Sequence, residues 1–425
     1  MYTFKNFGVE FKECNLKNGS PLFLFKKRGA PLYIRASVNA GTRWNDIHGT
    51  AHFVEHMIIA GSKKFPSKNL LVHEIERVGG EISAFTNFDS ICVNAQVAQE
   101  DDLPIATGVL SEMLCNSLFD PKVVENERGA ILSELRSKRS NPKRYAWDFF
   151  SSLVFQGTYM KYPTLGNEES IKQISVSDIK KFYSNYFSSA RTTYVACGDI
   201  EIDVLKKSLE NSIEFIGTVK NSLPRIPETI LERRISVEYF GNEETHFIFG
   251  FRVDAHSLEE KVALFIIGNI LAVGRASILA IELRYKKGLV YGVSGTAQFF
   301  SSVGMLSVST SCSEKNVQKT LDIICEELSK IYVNGINEES FNFTKKKILK
   351  SKFIEMQTAN SWVNANDQYL NNLVSEKSNI IDLMNITEGM TIQKVNEIFK
   401  KYIKPGSSYL AVCGKNSADS LNLKY

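Results

Sequence analysis

Two histidines and one glutamate fall within five consecutive residues, His52, Glu55 and His56 of the segment HFVEH. Residues four apart on a helix project from the same face, so the two imidazoles could bind one metal ion. Glu55 would lie at the edge of that face, where its carboxylate could activate a water molecule. A catalytic zinc site uses three protein ligands and keeps one position open, so a third ligand must come from elsewhere in the chain.

A second predicted helix, at residues 121–139, offers that third ligand. Its residues at helical spacing form one stripe, which consists of Val124, Glu127, Ile131, Glu134 and Leu135. Two carboxylates on an otherwise apolar stripe are costly to bury unless a cation or a hydrogen-bond donor neutralises them. Glu134 as a metal ligand, with Glu127 as hydrogen-bond partner of a ligand imidazole, would remove that cost. In the alternative interpretation, both glutamates lie at the helix edge and reach solvent.

Hydrophobic periodicity predicts the elements that must position these residues. Alternating apolar residues around an Asn18-Gly19 turn predict an N-terminal hairpin, and a period-2 pattern predicts a strand over residues 32–38. Further strands are predicted at 81–86 and 90–97, and helices at about 50–60, 69–79, 102–117 and 121–139. Thr50 is the expected N-cap of the helix that carries the histidines. Strands followed by pairs of helices are typical of an α+β fold.

The chain also contains an internal repeat. Residues 178–198 align without a gap on residues 394–414, and each segment has the pattern of an amphipathic helix, a turn and an apolar strand. The offset of 216 residues is about half of the 425-residue chain, which predicts two related halves. We therefore expect an N-terminal domain at 1–215, a linker at 216–232 and a C-terminal domain at 233–425. The position equivalent to His52 is Gly268, so one metal site per chain is expected.

Composition excludes several classes of protein. A formal charge of +4 over 425 residues is too slight to indicate nucleic acid or an acidic membrane as the main partner. No apolar stretch approaches the roughly 20 residues of a membrane helix, and the N terminus has no apolar core of a secretory signal. The seven cysteines form no CxxC pair, which favours reduced thiols. We expect a cytoplasmic protein, or an organelle-matrix protein if the source is a eukaryote.

The motifs resemble those of the pitrilysin/insulysin zinc metallopeptidases, the inverzincins, whose HxxEH order reverses the commoner HExxH. His52–Met57 resembles the family's HFLEHM segment, and Gly79–Thr86 resembles its GGxxNAxT strand. Glu127 and Glu134 reproduce its paired glutamates, and Leu283–Tyr291 resembles its LRxxxGLxY segment. In size, the chain is similar to the small-subunit members, such as the β subunit of the mitochondrial processing peptidase and its bacterial relatives.

The resemblance implies a fold and a function. The fold would be α+β, with two homologous α/β sandwich halves, each an antiparallel-rich sheet covered by helices. The function would be that of a zinc endopeptidase that cleaves peptides or unfolded segments inside a clamshell chamber, with processing of leader or targeting peptides as one use. One Zn²⁺ per chain would be bound by His52, His56 and Glu134, with Glu127 supporting an imidazole and Glu55 acting as general base.

The resemblance also implies where substrate binds. Arg284 and Tyr291 would hold the substrate carbonyl or the developing oxyanion. Ser83, Ala84 and Phe85 would belong to an edge strand beside the metal helix, to which a peptide adds as a further strand. Ser83 stands where the family usually has Asn, so a side-chain contact to the substrate at that position is not implied.

The expected assembly is a homodimer, because the chain is about half as long as the family members that enclose a chamber within one chain. Arg284 and Tyr291 of one subunit would then complete the zinc site of the other. A heterodimer with a related subunit is the alternative. Two functional alternatives also stay open, namely a catalytically silent structural homologue and an active subunit that requires a non-catalytic partner. No nucleic acid or membrane partner is expected.

Overall fold

The computed structural model describes residues 1–215, 234–300, 303–370 and 377–425. The predicted linker at 216–232 therefore lies outside the described residues. The described strands are β1 (Val9–Asn15), β2 (Pro21–Lys27), β3 (Leu32–Val38), β4 (Glu81–Thr86), β5 (Ile91–Val97), β6 (Thr192–Gly198), β7 (Ile235–Tyr239), β8 (Glu244–Val253), β9 (Val293–Phe299), β10 (Gly304–Ser313) and β11 (Ser408–Gly414). They form a six-stranded sheet of order β1-β2-β6-β3-β5-β4 and a five-stranded sheet of order β7-β11-β8-β10-β9.

Helices accompany both sheets. They are α1 (Thr50–Ala60), α2 (Lys68–Glu76), α3 (Leu103–Cys115), α4 (Pro121–Ser140), α5 (Pro142–Val154), α6 (Glu168–Gln173), α7 (Val176–Tyr186), α8 (Ile202–Ser212), α9 (Leu258–Ala272), α10 (Val317–Asn334), α11 (Glu338–Glu355), α12 (Ala359–Leu370), α13 (Ile380–Gly389) and α14 (Ile392–Tyr402). None of the helices in the described ranges is long and apolar enough to cross a membrane. The mixture of helices with two largely antiparallel sheets confirms the predicted α+β class.

The chain forms two compact units. The first comprises Met1–Leu135, Thr164–Arg225 and Lys352–Asp382, and the second comprises Arg136–Pro163, Ile226–Ser351 and Leu383–Tyr425. Each unit has its own sheet and its own apolar core. Helix α5 therefore belongs to the second unit, and helix α12 belongs to the first. The contiguous domain boundaries given above stay a prediction.

The internal repeat recurs as matching structure. Helix α7 and strand β6 have the same lengths as α14 and β11, and each bound is shifted by 216 residues, from 176 to 392 and from 198 to 414. β6 lies between a parallel β2 and an antiparallel β3. β11 lies in the same way between a parallel β7 and an antiparallel β8. The two related halves predicted from the sequence are therefore confirmed.

In the first unit, the sheet packs against an apolar helical layer on one face and against α12 on the other. Alternate residues of β3 face opposite sides, and Leu32, Ile34, Ala36 and Val38 join the apolar core together with residues of α1, α3 and α7. Tyr33, Arg35 and Ser37 alternate with them and therefore lie on the other side of the sheet. On that side, Trp362 of α12 packs against Phe25 of β2, with ring centres 5.4 Å apart.

The histidine-bearing helix α1 begins at a glycine. Gly49 is its N-cap, with φ of 96° in the left-handed region, and an added Cβ would lie 2.8 Å from the carbonyl oxygen of Leu165. Both the backbone conformation and the close approach exclude a larger residue. The expectation that Thr50 caps this helix was therefore wrong, because Thr50 is the first helical residue and its hydroxyl donates to the carbonyl of Ile47.

Helix α4 is fixed by one arginine. The Arg128 guanidinium donates to the main-chain carbonyls of Ile171 and Ile174, the latter at 2.8 Å. It also lies 5.2 Å from the ring centre of Phe53 on α1. Arg128 follows Glu127 directly, so these contacts set the position of α4 relative to α1 and thereby the position of both α4 glutamates.

We expect Arg128→Met to lower the free energy of unfolding by about 2 kcal/mol, because charged hydrogen bonds to two carbonyls are lost. Arg77→Met is the matched control, since Arg77 forms an exposed pair with Glu74 on α2. Exposed pairs contribute about 0–1 kcal/mol, so the control should change little. Urea denaturation of both variants measures the difference, and equal effects would contradict an anchoring role for Arg128.

Candidate active site

Three side chains from two helices converge in the first unit. His52 and His56 come from α1, and Glu134 comes from α4. The Nε2 atoms of His52 and His56 lie 3.7 and 3.6 Å from Oε2 of Glu134. One ligand atom from each residue lies within 4.8 Å of the others, and within the described ranges this is the only group of three or more His, Cys, Asp or Glu side chains that could hold a metal ion. The structure brings the three predicted ligands together.

Packing of the two helices sets this geometry. On α1, Phe53, Val54 and Met57 are buried, which fixes the rotation of the helix about its axis. The two imidazole rings then lie with centres 4.8 Å apart, and His52 is 6% exposed. On α4, the buried residues are Val124 and Ile131. On the same stripe, the Glu127 side chain is 19% exposed, whereas the Glu134 side chain is 42% exposed and reaches solvent at the helix edge.

Glu127 hydrogen-bonds to His56 through the ring nitrogen that does not face Glu134. Its Oε2 lies 2.9 Å from Nδ1 of His56. When Nδ1 carries the proton and donates it to this carboxylate, Nε2 keeps its lone pair and faces the side on which Glu134 lies. The hydrogen bond to His56 lowers the pKa of Glu127. The carboxylate is therefore charged at neutral pH and increases the basicity of the imidazole.

The site favours positive charge. Burial opposes a charge on His56, but the hydrogen bond to Glu127 and the nearby carboxylate of Glu134 outweigh it and raise the pKa of His56 to about 9. A bound divalent cation would supply positive charge in place of that proton, because metal ligation requires a neutral imidazole. Two imidazole nitrogens and one carboxylate oxygen suit zinc, whose tetrahedral bonds of roughly 2.0–2.1 Å place ligand atoms about 3.3 Å apart. The observed separations from Glu134 are close to that value, so the residues present fit a zinc ion.

Glu55 lies next to the ligands on α1. Its Oε2 accepts a 2.6 Å hydrogen bond from the hydroxyl of Thr86, the last residue of β4. Burial raises the pKa of Glu55, and the hydrogen bond from Thr86 opposes that rise. A partly buried carboxylate with one fixed donor is held in a defined orientation and is a stronger base than an exposed one.

Thr86 was not singled out as a site residue from the sequence. The available signal was its place in the Gly79–Thr86 segment, where Ile82, Ala84 and Thr86 alternate toward one face. The structure places Ile82 and Ala84 against the apolar core, so Thr86 points to the same side as α1. The period-2 pattern of the strand would have predicted that the Thr86 side chain points toward the helix that carries the histidines.

Strand β4 is the terminal strand of the six-stranded sheet within the described ranges. It pairs antiparallel with β5, and its Ser83 and Phe85 point away from the apolar core. The Ser83 hydroxyl accepts a 3.1 Å hydrogen bond from Asn94 of β5, and Phe85 is 39% exposed. The predicted substrate-binding residues Ser83, Ala84 and Phe85 therefore lie on an edge strand whose last residue contacts Glu55.

Arg284 and Tyr291 belong to the second unit. Arg284 lies in a π-helical turn, Ala280–Lys286, and its guanidinium is 5.1 Å from the ring centre of Tyr291. Tyr291 is 84% exposed, so its hydroxyl is open to solvent. The structure brings these two predicted residues together as a pair. Gly268, the counterpart of His52, lies in the apolar helix α9.

The chain is similar to known peptidases. The family model described as insulinase (peptidase family M16) matches residues 32–168, and the model described as peptidase M16 inactive domain matches residues 173–348. An uncharacterized zinc protease of Streptomyces coelicolor is 27% identical over 319 residues, which are 73% of this chain and 69% of that protein. The β subunit of the mitochondrial-processing peptidase of Dictyostelium discoideum is 29% identical over 236 residues, 55% of this chain and 49% of that protein.

The crystal structure of a protease from Helicobacter pylori has a TM-score of 0.86 to this chain at 17% identity. The match covers 96% of this chain and 99% of that one, and at such identity it shows a common fold. Two models of one peptidase family together account for most of the sequence, and the relatives carry zinc-protease names. The chain belongs to the insulinase family of peptidases, family M16.

Proposed function

We propose that this protein is a zinc-dependent endopeptidase that cleaves peptides or unfolded segments. The observation that carries the proposal is the convergence of His52, His56 and Glu134 with Glu55 beside them on α1. Three ligands with an adjacent carboxylate are the minimum set for metal-assisted hydrolysis of a peptide bond. The zinc-protease names of the relatives support the same assignment.

Each residue of the site has a distinct role in this proposal. His52, His56 and Glu134 would hold a zinc ion, which would supply Lewis acidity toward a water molecule and the substrate carbonyl. Glu55 accepts the proton that the attacking water loses and donates it to the leaving amine. Thr86 fixes the carboxylate of Glu55 for both transfers through its 2.6 Å hydrogen bond. Arg284 and Tyr291 offer donors for the substrate carbonyl or the developing oxyanion.

The edge strand β4 supports a peptide as the substrate. A terminal strand presents unpaired N–H and C=O groups, which an extended peptide satisfies by adding as a further strand. Main-chain pairing tolerates many sequences, and it would align the peptide beside Glu55 because β4 ends at Thr86. Processing of leader or targeting peptides is the use we propose, by analogy with the relatives named mitochondrial-processing peptidase.

Replacing Glu127 tests the zinc site. We expect Glu127→Gln to weaken zinc binding by about 10- to 100-fold, because His56 loses the carboxylate that orients it and raises its basicity. Saturating zinc should still give one ion per chain. Competition with a chromophoric chelator measures the affinity, and Glu169→Gln on α6 is the control. An unchanged dissociation constant for zinc in Glu127→Gln would contradict the role assigned to Glu127.

Replacing Glu55 tests the chemistry. Glu55→Gln should keep one zinc per chain and lower kcat by about 10²- to 10⁴-fold, since the amide cannot accept a proton from water. Cleavage of a quenched peptide library by the zinc-loaded protein measures the rate. A wild-type rate would show that Glu55 is not the base. Absence of cleavage by the purified, zinc-loaded wild-type chain would favour a silent structural homologue or a subunit that requires a non-catalytic partner.

We propose further that the active form is a homodimer in which Arg284 and Tyr291 of one chain complete the zinc site of the other. Identical subunits commonly form symmetric pairs, which would give two equivalent sites. The support for this proposal is the family resemblance and the occurrence of both elements in one chain. A heterodimer with a related subunit is the alternative assembly.

Mixing of inactive variants tests the homodimer. Glu55→Gln and Arg284→Ala chains should each be inactive alone, but half of the randomly exchanged dimers would be mixed and would hold one intact site. Activity should then return to about a quarter of the wild-type value per chain. Exchange is verified with differently labelled chains. If exchange occurs and no activity returns, the two elements do not act across an interface between chains.

A further inference from the structure

A buried ion pair lies on the face of the first unit's sheet that points away from the apolar core of that unit. We call this face the outer face, and Ser83 and Phe85 lie on it as well. Arg35 of β3 and Asp367 of α12 have side chains that are 5% and 10% exposed, with a guanidinium nitrogen 3.8 Å from a carboxylate oxygen. The Asp367 carboxylate also accepts a 2.5 Å hydrogen bond from Ser37. Neither residue contacts the zinc ligands, and the mechanism above does not use them.

The arginine directs its donors to two other elements of the unit, β5 and α12. Its Nε donates to Oδ1 of Asn94 on β5 at 2.7 Å, and its second terminal nitrogen donates to Oδ1 of Asn364 on α12 at 2.6 Å. The planar guanidinium can make these bonds together because its donors form a rigid fork. Asp367 and Asn364 of α12 thus contact the Arg35 guanidinium, and Asn94 of β5 accepts a hydrogen bond from it.

Two branches run from this arginine to the edge strand. In the first, Asn94 accepts from Arg35 and donates through Nδ2 to the Ser83 hydroxyl at 3.1 Å. In the second, the guanidinium lies 5.0 Å from the ring centre of Phe85, within the range of a cation–π contact. Ser83 and Phe85 are two of the three residues with which β4 faces outward, Glu81 being the third, so both branches end on the outer face of the edge strand.

Stability alone gives a weak reason for such a cluster. Burial raises the pKa of Asp367, and the charges of the pair must be desolvated. Replacing a buried ion pair by uncharged groups of similar volume is often neutral or stabilising, whereas positional specificity is one recognised reason to keep a pair. The contacts here converge on two outward-facing residues beside the site, which points to positioning.

We propose that Arg35 and Asp367 are positioning residues that hold Ser83 and Phe85 in the orientation with which β4 receives an extended peptide. This inference rests on the proposed function, since it assumes that peptide adds at β4. Helix α12, more than 260 residues beyond β5 in the sequence, would thereby set the peptide-binding face of the N-terminal strands.

The test uses the double variant Arg35→Met with Asp367→Asn, which removes both charges together and leaves neither unpaired. It is made in zinc-loaded Glu55→Gln protein, and binding of fluorescein-labelled casein, an unfolded protein, is followed by fluorescence polarisation. We expect the dissociation constant for casein to rise about 10-fold, with the zinc content unchanged and the protein still folded at the assay temperature. With Glu55 intact, KM should rise by a similar factor while kcat stays within about twofold.

Two further variants sharpen the result. Lys172→Met with Glu168→Gln removes an exposed pair on α6 of the same unit and should change neither binding nor KM. Arg35→Lys keeps the charge beside Asp367 but cannot serve Asn94 and Asn364 together, so it should also weaken casein binding. It keeps the inference testable if the double variant does not fold.

The outcomes separate the inference from the proposed function. Unchanged casein affinity in folded Arg35 variants, with casein bound and cleaved by the parent proteins, overturns the positioning role alone. A fall in melting temperature with unchanged KM means that the cluster serves only the fold and also overturns it. If the wild-type, zinc-loaded protein neither binds nor cleaves casein or library peptides, the proposed function fails and the inference fails with it.

Discussion

The local structure of the site depends on two carboxylates that α4 presents to two imidazoles of α1. Glu127 and Glu134 lie on a stripe that is otherwise apolar, and the Glu127 side chain, 19% exposed, needs a partner for its charge. His56 supplies that partner at 2.9 Å, and Glu134, 42% exposed at the helix edge, lies 3.6 Å from the other nitrogen of the same ring. This pairing favours a cation, so the packing of the two helices and the proposed binding of a metal ion follow from one constraint. Arg128 then secures α4 by its bonds to main-chain carbonyls.

Around this pair of helices, the sheet contributes both of its faces to the proposed function. The inner face of β4 carries Thr86, which orients the carboxylate of Glu55. Its outer face carries Ser83 and Phe85, which the buried Arg35 supports through Asn94 and a cation–π contact. One short edge strand therefore connects the base to the surface where a peptide would add. Cleavage of unfolded segments would follow from geometry, because only an extended chain can pair along such a strand.

The sequence predicted those features that depend on local spacing. The HxxEH segment, the two-glutamate stripe and the 216-residue repeat are periodic patterns, and the structure contains each of them. The Gly49 cap was missed because its need for glycine comes from Leu165, a distant neighbour. The Arg35–Asp367 pair joins residues more than 300 positions apart, and no local pattern shows that α12 covers β3. For the same reason, the contiguous halves predicted from the repeat differ from the compact units. Helix α5, from the first half of the sequence, belongs to the second unit, and α12, from the second half, belongs to the first.

In the proposed function, His52, His56 and Glu134 together bind one zinc ion. Anomalous diffraction at the zinc edge, from crystals of the zinc-loaded protein, measures where that ion lies. We expect one anomalous peak per chain, about 2.0–2.2 Å from an Nε2 atom of each histidine and from a carboxylate oxygen of Glu134. A peak bounded by other residues, or no peak at this position in protein saturated with zinc, would contradict it.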